Sequence, residues 1–274
     1  MGVVNVTPDS FSDGGAFLDP DAAVKHGLRL AFEGADLLDV GGESTRPGAE
    51  PVSEREELNR VLPVIEGIRA SNPDVRISID TSKTAVAAAA LDAGADYVND
   101  VTALRGDPEM AALVAERAVD VCLMHMLGTP RTMQAEAHYD DVVADVRDFL
   151  EERIAAAVAA GIALERIEVD PGIGFAKTVD HNLELLGRLR ELTTLGRPVV
   201  LGTSRKSFLG KITGREVAER MPATLATLVM AYERGAEVFR VHDVAPARDA
   251  LCVAAATLAR PWPATSPRTT TTTS

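Results

Sequence analysis

Short apolar runs alternate with amphipathic segments along the chain. Val3, Val4 and Val6 form the first run, and seven further runs of strand length follow it. The segment from about Tyr139 to Ala160 has apolar residues at helical spacing, which predicts a long amphipathic helix. The pattern predicts eight strands, each followed by a loop and a helix, at residues 3–6, 35–42, 75–80, 97–100, 119–125, 167–170, 198–203 and 237–241.

The predicted helix boundaries carry their own signals. Asp19-Pro20 pairs a good N-cap with proline at the first helical position. Ser53 and Glu56 have the spacing of a capping box. Three helix-to-strand junctions read alike, GADLLDV, GADYVND and GAEVFRV, and in each we expect glycine to end the helix. Such weak repetition is expected when every unit is one βα step.

Alternating strands and helices with short connections predict a parallel sheet. Eight steps in 274 residues fit a closed (β/α)8 TIM barrel, which usually needs about 250 residues. No GxGxxG follows the first strand, which counts against a Rossmann fold. We expect residues 1–260 to form the barrel domain and residues 261–274, a Thr/Ser/Pro-rich stretch, to be a disordered tail.

Composition narrows the range of partners. The formal net charge is −13, from 28 basic and 41 acidic residues, which argues against nucleic acid or an anionic membrane as the main partner. A small anionic substrate is still possible, since it needs only a local basic cluster. Cys122 and Cys252 lie in apolar surroundings and are predicted to be buried free thiols. No signal peptide and no membrane-spanning apolar run is found, so we expect a cytoplasmic protein.

Polar residues end or follow most of the predicted strands. Any single aspartate there could be a helix cap, but lysine, arginine and histidine do not cap helix N-termini. In a barrel these strand ends share the face that holds the active site. We therefore expect a functional site built from Asn5, Asp80, Asn99, His125, Asp170, Lys206, Arg240 and His242.

Two parts of this set suggest different ligands. Asp80 and Asp170 accept hydrogen bonds when ionised, and Asn99 both donates and accepts. Together they could read a planar heterocycle with an amidine-like N–H/NH2 edge, as in pterins and guanines.

The remaining strand-end residues favour phosphate. Lys206, Arg240 and His242 could hold a phosphate group, with arginine giving a forked contact. Asn5 offers a neutral oxygen suited to Mg²⁺ that is bridged through phosphate oxygens. No HxH, HExxH or paired CxxC is present, so we expect no dedicated zinc site.

Two loops after the later strands also stand out. PGIGFAK contains Gly172 and Gly174, which we expect to need positive φ, and Phe175 and Lys177, which could wall the mouth. SRK places adjacent cations at a helix start, where they oppose the helix dipole. A bound anion or an acidic neighbour would explain them.

At this point the sequence resembles the dihydropteroate synthase family over nearly the whole chain. NVTPDSFSDGG, DVGGESTRPGA, SIDT, NDV, LMH, DPGIGFAKT, TSRKSFLG and RVHDV match the family's motifs in order. The resemblance implies a folate-synthesis enzyme that joins 6-hydroxymethyl-7,8-dihydropterin pyrophosphate to p-aminobenzoate. It also implies Mg²⁺, a homodimer formed through the later helices, and a pocket where sulfonamides bind.

The resemblance gives each candidate residue a role. Pterin binding falls to Asp80, Asn99, Met124, Asp170 and Lys206. Pyrophosphate binding falls to Asn5, Arg46, Arg240 and His242, with Asn5 also the metal ligand. The aminobenzoate pocket falls to Phe11, Thr45, Pro47, Phe175 and Ser207. The expected catalytic set is Lys206, Arg240, His242 and, from the two loops, Asp13 and Arg46.

We expect a reaction that needs no strong general base. An electron-rich dihydropterin can stabilise a cation at its methylene, so pyrophosphate can leave before the amine arrives. An aniline-type amine is already neutral at pH 7. Catalysis would then rest on charge stabilisation at the leaving group and on exclusion of water.

One departure and two alternatives remain. The family usually has a segment before the first strand, whereas Met1 lies at the strand here, so we expect that segment to be short or absent. A pterin-binding methyltransferase domain would share the pterin-reading acids but not the TPDSFSDGG loop. A non-catalytic pterin-binding paralogue should have lost loop or SRK residues, and none is missing.

Overall fold

The computed structural model of the protein describes residues 1–7, 19–45, 49–128 and 137–258. Parallel strands and α-helices alternate through these ranges in the predicted order. The strands are β1 (Gly2–Asn5), β2 (Leu37–Gly41), β3 (Arg76–Asp80), β4 (Tyr97–Asp100), β5 (Asp120–Met124), β6 (Ile167–Asp170), β7 (Val200–Leu201) and β8 (Val238–Phe239). The helices are α1 (Pro20–Phe32), α2 (Glu54–Ser71), α3 (Thr84–Asp92), α4 (Met110–Arg117), α5 (Val142–Ala159), α6 (Val179–Gly187), α7 (Ser207–Thr213), α8 (Met221–Glu233) and α9 (Val244–Leu258).

The strands close into a ring. β1 to β6 form one parallel sheet in sequential order, and β7 pairs with β8. An isolated bridge from Val169 to Val199 joins β6 to the β7 segment, and a bridge from Gly2 to Val241 joins the β8 segment to β1. The predicted (β/α)8 barrel is therefore confirmed. α7 and α8 both lie between β7 and β8, so this step has one helix more than the simple repeat.

Alternate residues of a strand face opposite sides of the barrel wall. Leu38 and Ile77 belong to the large apolar core shared with the surrounding helices. Their chain neighbours Asp39 and Ser78 are fully buried and hydrogen-bonded to each other at 2.6 Å. The side of the wall away from the helices, which is the barrel interior, therefore holds polar groups where the outer side is apolar.

The interior changes character along the barrel axis. Leu37, Tyr97, Cys122 and Val200 come from four different strands and pack together as a separate apolar cluster. They lie toward the beginning or middle of their strands, whereas charged residues occupy the carboxyl ends. An apolar lower layer thus supports a polar upper layer, and the upper layer faces the mouth of the barrel.

The predicted helix ends are mostly observed. The glycines of the three repeated junctions, Gly34, Gly94 and Gly235, have φ of 97°, 109° and 96°, the left-handed conformation expected of a C′ glycine. Ser53 caps α2 by accepting from the Glu56 N–H at 3.3 Å. The Glu56 carboxylate pairs instead with an arginine on the next turn, so the reciprocal half of the predicted capping box does not form.

The two cysteines differ. Cys122 is buried as predicted, but Cys252 is exposed on α9. Val253 beside it is also exposed, so apolar neighbours along α9 do not mark a buried position, and the prediction of a buried thiol is wrong for Cys252. No helix in the described ranges is long and apolar enough to cross a bilayer. Residues 261–274, the predicted tail, lie outside the described residues.

Candidate active site

A network of side chains from the middle and carboxyl-terminal halves of β2, β3 and β4 and from the residue after β8 lies inside the barrel. The Asp39 carboxylate accepts from Ser78 Oγ at 2.6 Å, from Asn99 Nδ2 at 3.2 Å and from Arg240 Nε at 2.6 Å. Arg240 Nη2 also donates to Asp80 Oδ2 at 2.8 Å. Three of the predicted site residues, Asp80, Asn99 and Arg240, are thus brought together as expected.

Asp39 is the member of this network that the sequence analysis did not single out. It is fully buried and lies two residues before Gly41 on β2, pairing with Ser78 of β3 where Gly41 pairs with Asp80. The signal was available, since LLDVGG places one charge in the middle of an otherwise apolar buried strand. A buried carboxylate needs a hydrogen-bond donor as its partner, but no sequence motif indicates which residue supplies that donor.

Opposing effects act on the pKa of the Asp80 carboxyl. Burial raises the pKa of its carboxyl, the Arg240 guanidinium opposes this, and the negative charge of Asp39 adds to the rise. One guanidinium is shared by two carboxylates, so Arg240 cannot fully neutralise both. The environment therefore favours a proton on Asp80 more than water does.

Arg240 makes two side-chain contacts that its predicted pyrophosphate role does not include. Its Nε and Nη2 are engaged with Asp39 and Asp80. These contacts hold the guanidinium plane across the ends of β2, β3 and β8. Any contact of Arg240 with a phosphate has to use the rest of this fixed plane.

A second group of residues lines the β6 and β7 side of the mouth. Asp170 is buried and accepts from the Gly172 N–H at 2.6 Å. Burial raises the pKa of Asp170, and nearby Lys206 opposes that rise. Gly172 and Gly174 have φ of 67° and 86°, which confirms the positive φ predicted for both. At Gly172 a Cβ would collide with the His125 carbonyl oxygen, so glycine is required there.

Lys206 joins this group to the loop after β6. Its ammonium bonds to the Ile173 carbonyl oxygen and lies 4.7 Å from the centre of the Phe175 ring. Burial lowers the pKa of Lys206 to about 8, although Asp170 opposes the change. The ammonium is thus poised between a carboxylate, a carbonyl oxygen and an aromatic face.

An apolar wall completes the mouth beside these polar groups. Val101, Met124, Met126 and Ala176 form a small buried cluster, and Leu127 and Phe175 pack against it. Met124, predicted to line a pterin pocket, is 4% exposed. A flat ring could lie on this wall with its edge toward the acids.

His125 does not join the ligand-facing set. It is 1% exposed, and its Nδ1 lies 2.9 Å from Lys177 Nζ. Burial lowers the pKa of His125 far below its usual value, with further lowering by Lys177, so the imidazole is neutral and accepts from the ammonium. Lys177 also donates to the Phe175 carbonyl at 2.9 Å, which ties the loop after β6 to the end of β5.

The residues after β7 and β8 form paired contacts. Ser204 Oγ accepts from the His242 N–H at 3.2 Å and lies 3.0 Å from His242 Nδ1. Arg205 makes two hydrogen bonds to Asp243, at 2.9 and 2.6 Å. Asp243 is therefore the acidic neighbour that the adjacent cations of SRK predicted, and Ser204 is a contact that sequence reasoning missed.

Only some of the predicted aminobenzoate residues lie within the described part of the chain. Phe175 is half-buried at the mouth, Thr45 is half-buried after β2, and Ser207 is exposed at the first position of α7. Phe11, Asp13, Arg46 and Pro47 lie outside the described residues. Their assignments stay predictions.

The donor set at β1 fits one kind of metal binding. Asn5 ends β1 beside Gly41 of β2 and offers a neutral amide oxygen. Mg²⁺ commonly binds through one or two protein oxygens together with substrate phosphates and water. In the described ranges no group of three or more His, Cys, Asp or Glu side chains could hold a metal. The residues present fit Mg²⁺ that binds together with a phosphate-bearing substrate.

Comparison with known proteins places this site in a family. The profile of the family described as pterin binding enzyme matches residues 1–242. The dihydropteroate synthase of Escherichia coli strain K12 is 47% identical over 258 residues, covering 94% of this chain and 91% of that protein. A probable bifunctional folylpolyglutamate synthase/dihydropteroate synthase of Haloferax volcanii is 50% identical over 244 residues; the match covers 89% of this chain but only 29% of that longer protein.

Solved structures agree with these relatives. Dihydropteroate synthase of Xanthomonas albilineans with 4-aminobenzoic acid superposes with a TM-score of 0.89 at 52% identity, covering 95% of this chain and 93% of that one. The same enzyme in complex with 7,8-dihydropteroate gives a TM-score of 0.86 at 50% identity, with the same coverage. The chain therefore belongs to the pterin-binding enzyme family and, within it, groups with the dihydropteroate synthases.

Proposed function

We propose that this chain condenses 6-hydroxymethyl-7,8-dihydropterin pyrophosphate with p-aminobenzoate, giving 7,8-dihydropteroate and pyrophosphate. The observation that carries the proposal is the ring of acceptors and donors at one mouth, with Asp80, Asn99 and Asp170 beside Lys206. The related Xanthomonas enzyme binds 4-aminobenzoic acid and 7,8-dihydropteroate, which supports the same pair of ligand chemistries here.

The pterin occupies the space between the acids and the apolar wall. Asp170 and Asp80 accept from ring N–H and NH2 groups, because ionised carboxylates only accept. Asn99 meets the same edge with its amide. Met124 packs against the ring face, and Lys206 donates to the carbonyl side of the ring.

Residues that follow β8 and end β1 stabilise the pyrophosphate leaving group. Arg240 and His242 lie on the segment that follows β8, and Asn5 ends the neighbouring strand. Their donors neutralise charge that develops on pyrophosphate as the C–O bond breaks. Mg²⁺, when bound, would neutralise further charge on the pyrophosphate oxygens, with Asn5 as its protein ligand. Arg46, from the loop after β2, is proposed as a further contact to the leaving group.

The amine needs positioning more than activation. An aniline-type nitrogen is neutral at pH 7 and can attack a cationic methylene directly. Phe175, held by Lys177 through its carbonyl and lying beside Lys206, forms a fixed wall for the ring. Thr45, Pro47, Ser207 and Phe11 are the proposed remaining members of this pocket, which is also the proposed sulfonamide site. Asp13 and Arg46 are proposed to complete the site from the two loops.

The test is pyrophosphate release with both substrates. We expect sustained release over many turnovers that depends on p-aminobenzoate and on Mg²⁺ and is inhibited by a sulfonamide. A methyltransferase-type domain would bind the pterin and release no pyrophosphate. A non-catalytic paralogue would bind without turnover and would not rescue a strain that lacks folate synthesis. Either result would contradict the proposal.

A homodimer is the proposed assembly. Met230 on α8 and Val253 and Leu258 on α9 are 40%, 68% and 53% exposed, and α8 and α9 pack side by side. An apolar face of this kind favours burial against a second copy. Light scattering should give twice the chain mass. The cytoplasmic location expected from the sequence stays a prediction that cell fractionation can test.

A further inference from the structure

Asp39 is the one fully buried carboxylate of the mouth network that the proposed reaction does not use. We propose that Asp39 is a positioning residue that locks the orientation of the Asn99 amide, and that this lock makes the site selective for a ligand edge that bears N–H donors. The inference rests on the proposed pterin-binding function.

The chemistry of the neighbours fixes the orientation. Ser78 Oγ, Asn99 Nδ2 and Arg240 Nε all approach Asp39, at 2.6, 3.2 and 2.6 Å. A guanidinium can only donate, and a carboxylate beside it can only accept. The Asn99 atom that faces Asp39 must therefore be the nitrogen of the NH2 group.

A flipped amide would be costly. It would set the Asn99 carbonyl oxygen against the Asp39 carboxylate and leave an NH2 group to find another acceptor. Asn99 is 7% exposed and Asp39 is fully buried, so water cannot readily relieve the mismatch. A buried mismatch of this kind costs about 1–3 kcal/mol, which corresponds to roughly a tenfold to hundredfold bias.

The locked amide has a consequence for specificity. With one N–H of the amide held by Asp39, the carbonyl oxygen of Asn99 lies on the other side of the amide and is the acceptor that Asn99 offers to a ligand. An oxygen there rewards a ligand N–H or NH2 and penalises a ligand carbonyl. A 2-amino pterin should be preferred to the matching lumazine, in which an oxo group replaces the 2-amino group.

Asp39→Asn weakens the lock while keeping the shape. Asparagine keeps one oxygen, in place of Oδ2, for Arg240 and Asn99, and puts an NH2 group in place of Oδ1, which lies 3.4 Å from Asn99 Nδ2, so the present orientation of the Asn99 amide is no longer strongly favoured over the flipped one. Ser78→Ala is the matched control, because it removes a different donor from the same carboxylate and leaves the contacts with Asn99 and Arg240. Affinities for 6-hydroxymethylpterin and for 6-hydroxymethyllumazine are measured by calorimetry on the full chain.

The expected result is a ratio. The ratio of the affinity for 6-hydroxymethylpterin to the affinity for 6-hydroxymethyllumazine should be the same in the unsubstituted protein and in Ser78→Ala. In Asp39→Asn this ratio should fall at least tenfold. A ratio that changes less than twofold in a folded Asp39→Asn protein overturns the inference. A protein that binds neither ligand and shows no pyrophosphate release would instead sink the proposed function, so the two failures are distinguishable.

A second measurement covers the case in which Asp39→Asn does not fold. In the unsubstituted protein with ¹⁵N-labelled asparagine, the Asn99 side-chain NH2 should exchange its protons slowly, because one proton is held by Asp39. Asn59 on α2 is exposed and gives the reference rate; Asn99→Gln identifies the signal. Exchange of Asn99 as fast as Asn59 would also overturn the inference.

Discussion

Replacing Lys206 with methionine should make the ligand-free protein more stable and abolish turnover. The pKa of Lys206 falls from its ordinary 10.5 to about 8, chiefly through burial. At about 1.4 kcal/mol per pKa unit, the charged form costs the folded state roughly 3 kcal/mol. Lys206 is only half-buried, and methionine loses the cation–π contact with Phe175, which contributes about 0.5–1 kcal/mol. We therefore expect a net gain of about 1 kcal/mol at pH 7.

The pH dependence identifies the cause. Between pH 8 and 10.5 the unfolded chain binds more protons than the folded chain at Lys206, so this group makes the unsubstituted protein more stable as pH rises. Below pH 8 both states hold the proton and the full penalty is present. The advantage of Lys206→Met should thus be complete at pH 7 and shrink toward pH 10.5.

Urea unfolding at pH 7 and pH 9.5 gives the two values. Lys211→Met is the control, because Lys211 is exposed on α7, the helix that begins directly after Lys206, and the chemical change is identical. We expect no comparable gain in this variant. Lower stability for Lys206→Met at pH 7, or an advantage that does not depend on pH, would refute the reasoning.

Three further predictions concern the supports of the site. Gly172→Ala should lose about 2 kcal/mol or more in urea unfolding, since φ is 67° and the added Cβ meets a carbonyl oxygen; Gly187→Ala, which has open space, should be neutral or gain up to about 1 kcal/mol. Lys177→Met should raise KM for p-aminobenzoate by up to about tenfold with a smaller effect on the pterin KM, and equal effects would contradict the support given to Phe175. Ser204→Ala should lower kcat, because Ser204 Oγ holds the His242 imidazole in place. Ser204→Thr keeps a hydroxyl and should restore part of kcat, whereas an unchanged kcat in Ser204→Ala would exclude a positioning role for Ser204.

The periodic features of the chain were predictable because they depend on local physics. Apolar runs bounded by helices gave all eight strands, and Gly34, Gly94 and Gly235 showed their positive φ through their place before a strand. The polar strand ends were equally visible, because charged or amide side chains are rare in such runs. Convergence of Asp80, Asn99 and the other strand ends on one face then followed from the parallel topology.

Pairing across the barrel was not predictable in the same way. Asp39 and Arg240 are 201 positions apart along the chain, and no spacing rule joins them. His125 illustrates the opposite error. Its place at a strand end suggested a ligand-facing group, but His125 packs against Tyr139 and against Phe149 of α5, with ring centroids 5.9 and 4.8 Å apart. Tertiary packing decides whether a strand-end side chain faces a ligand or is covered by neighbouring side chains, and the sequence alone does not show that packing.

The pairing also explains how a site with so many charges can fold without its ligand. Arg240 is held by Asp39 and Asp80, and Lys206 lies within the field of Asp170. Each cation thus has a carboxylate in the ligand-free barrel, which limits the cost of burying it. A pyrophosphate group competes for these same cations, so carboxylates that stabilise the empty site weaken its hold on the leaving group. Asp80→Asn should therefore tighten pyrophosphate binding to the ligand-free protein while weakening pterin binding, and calorimetry with each ligand alone would show whether the two affinities move in opposite directions.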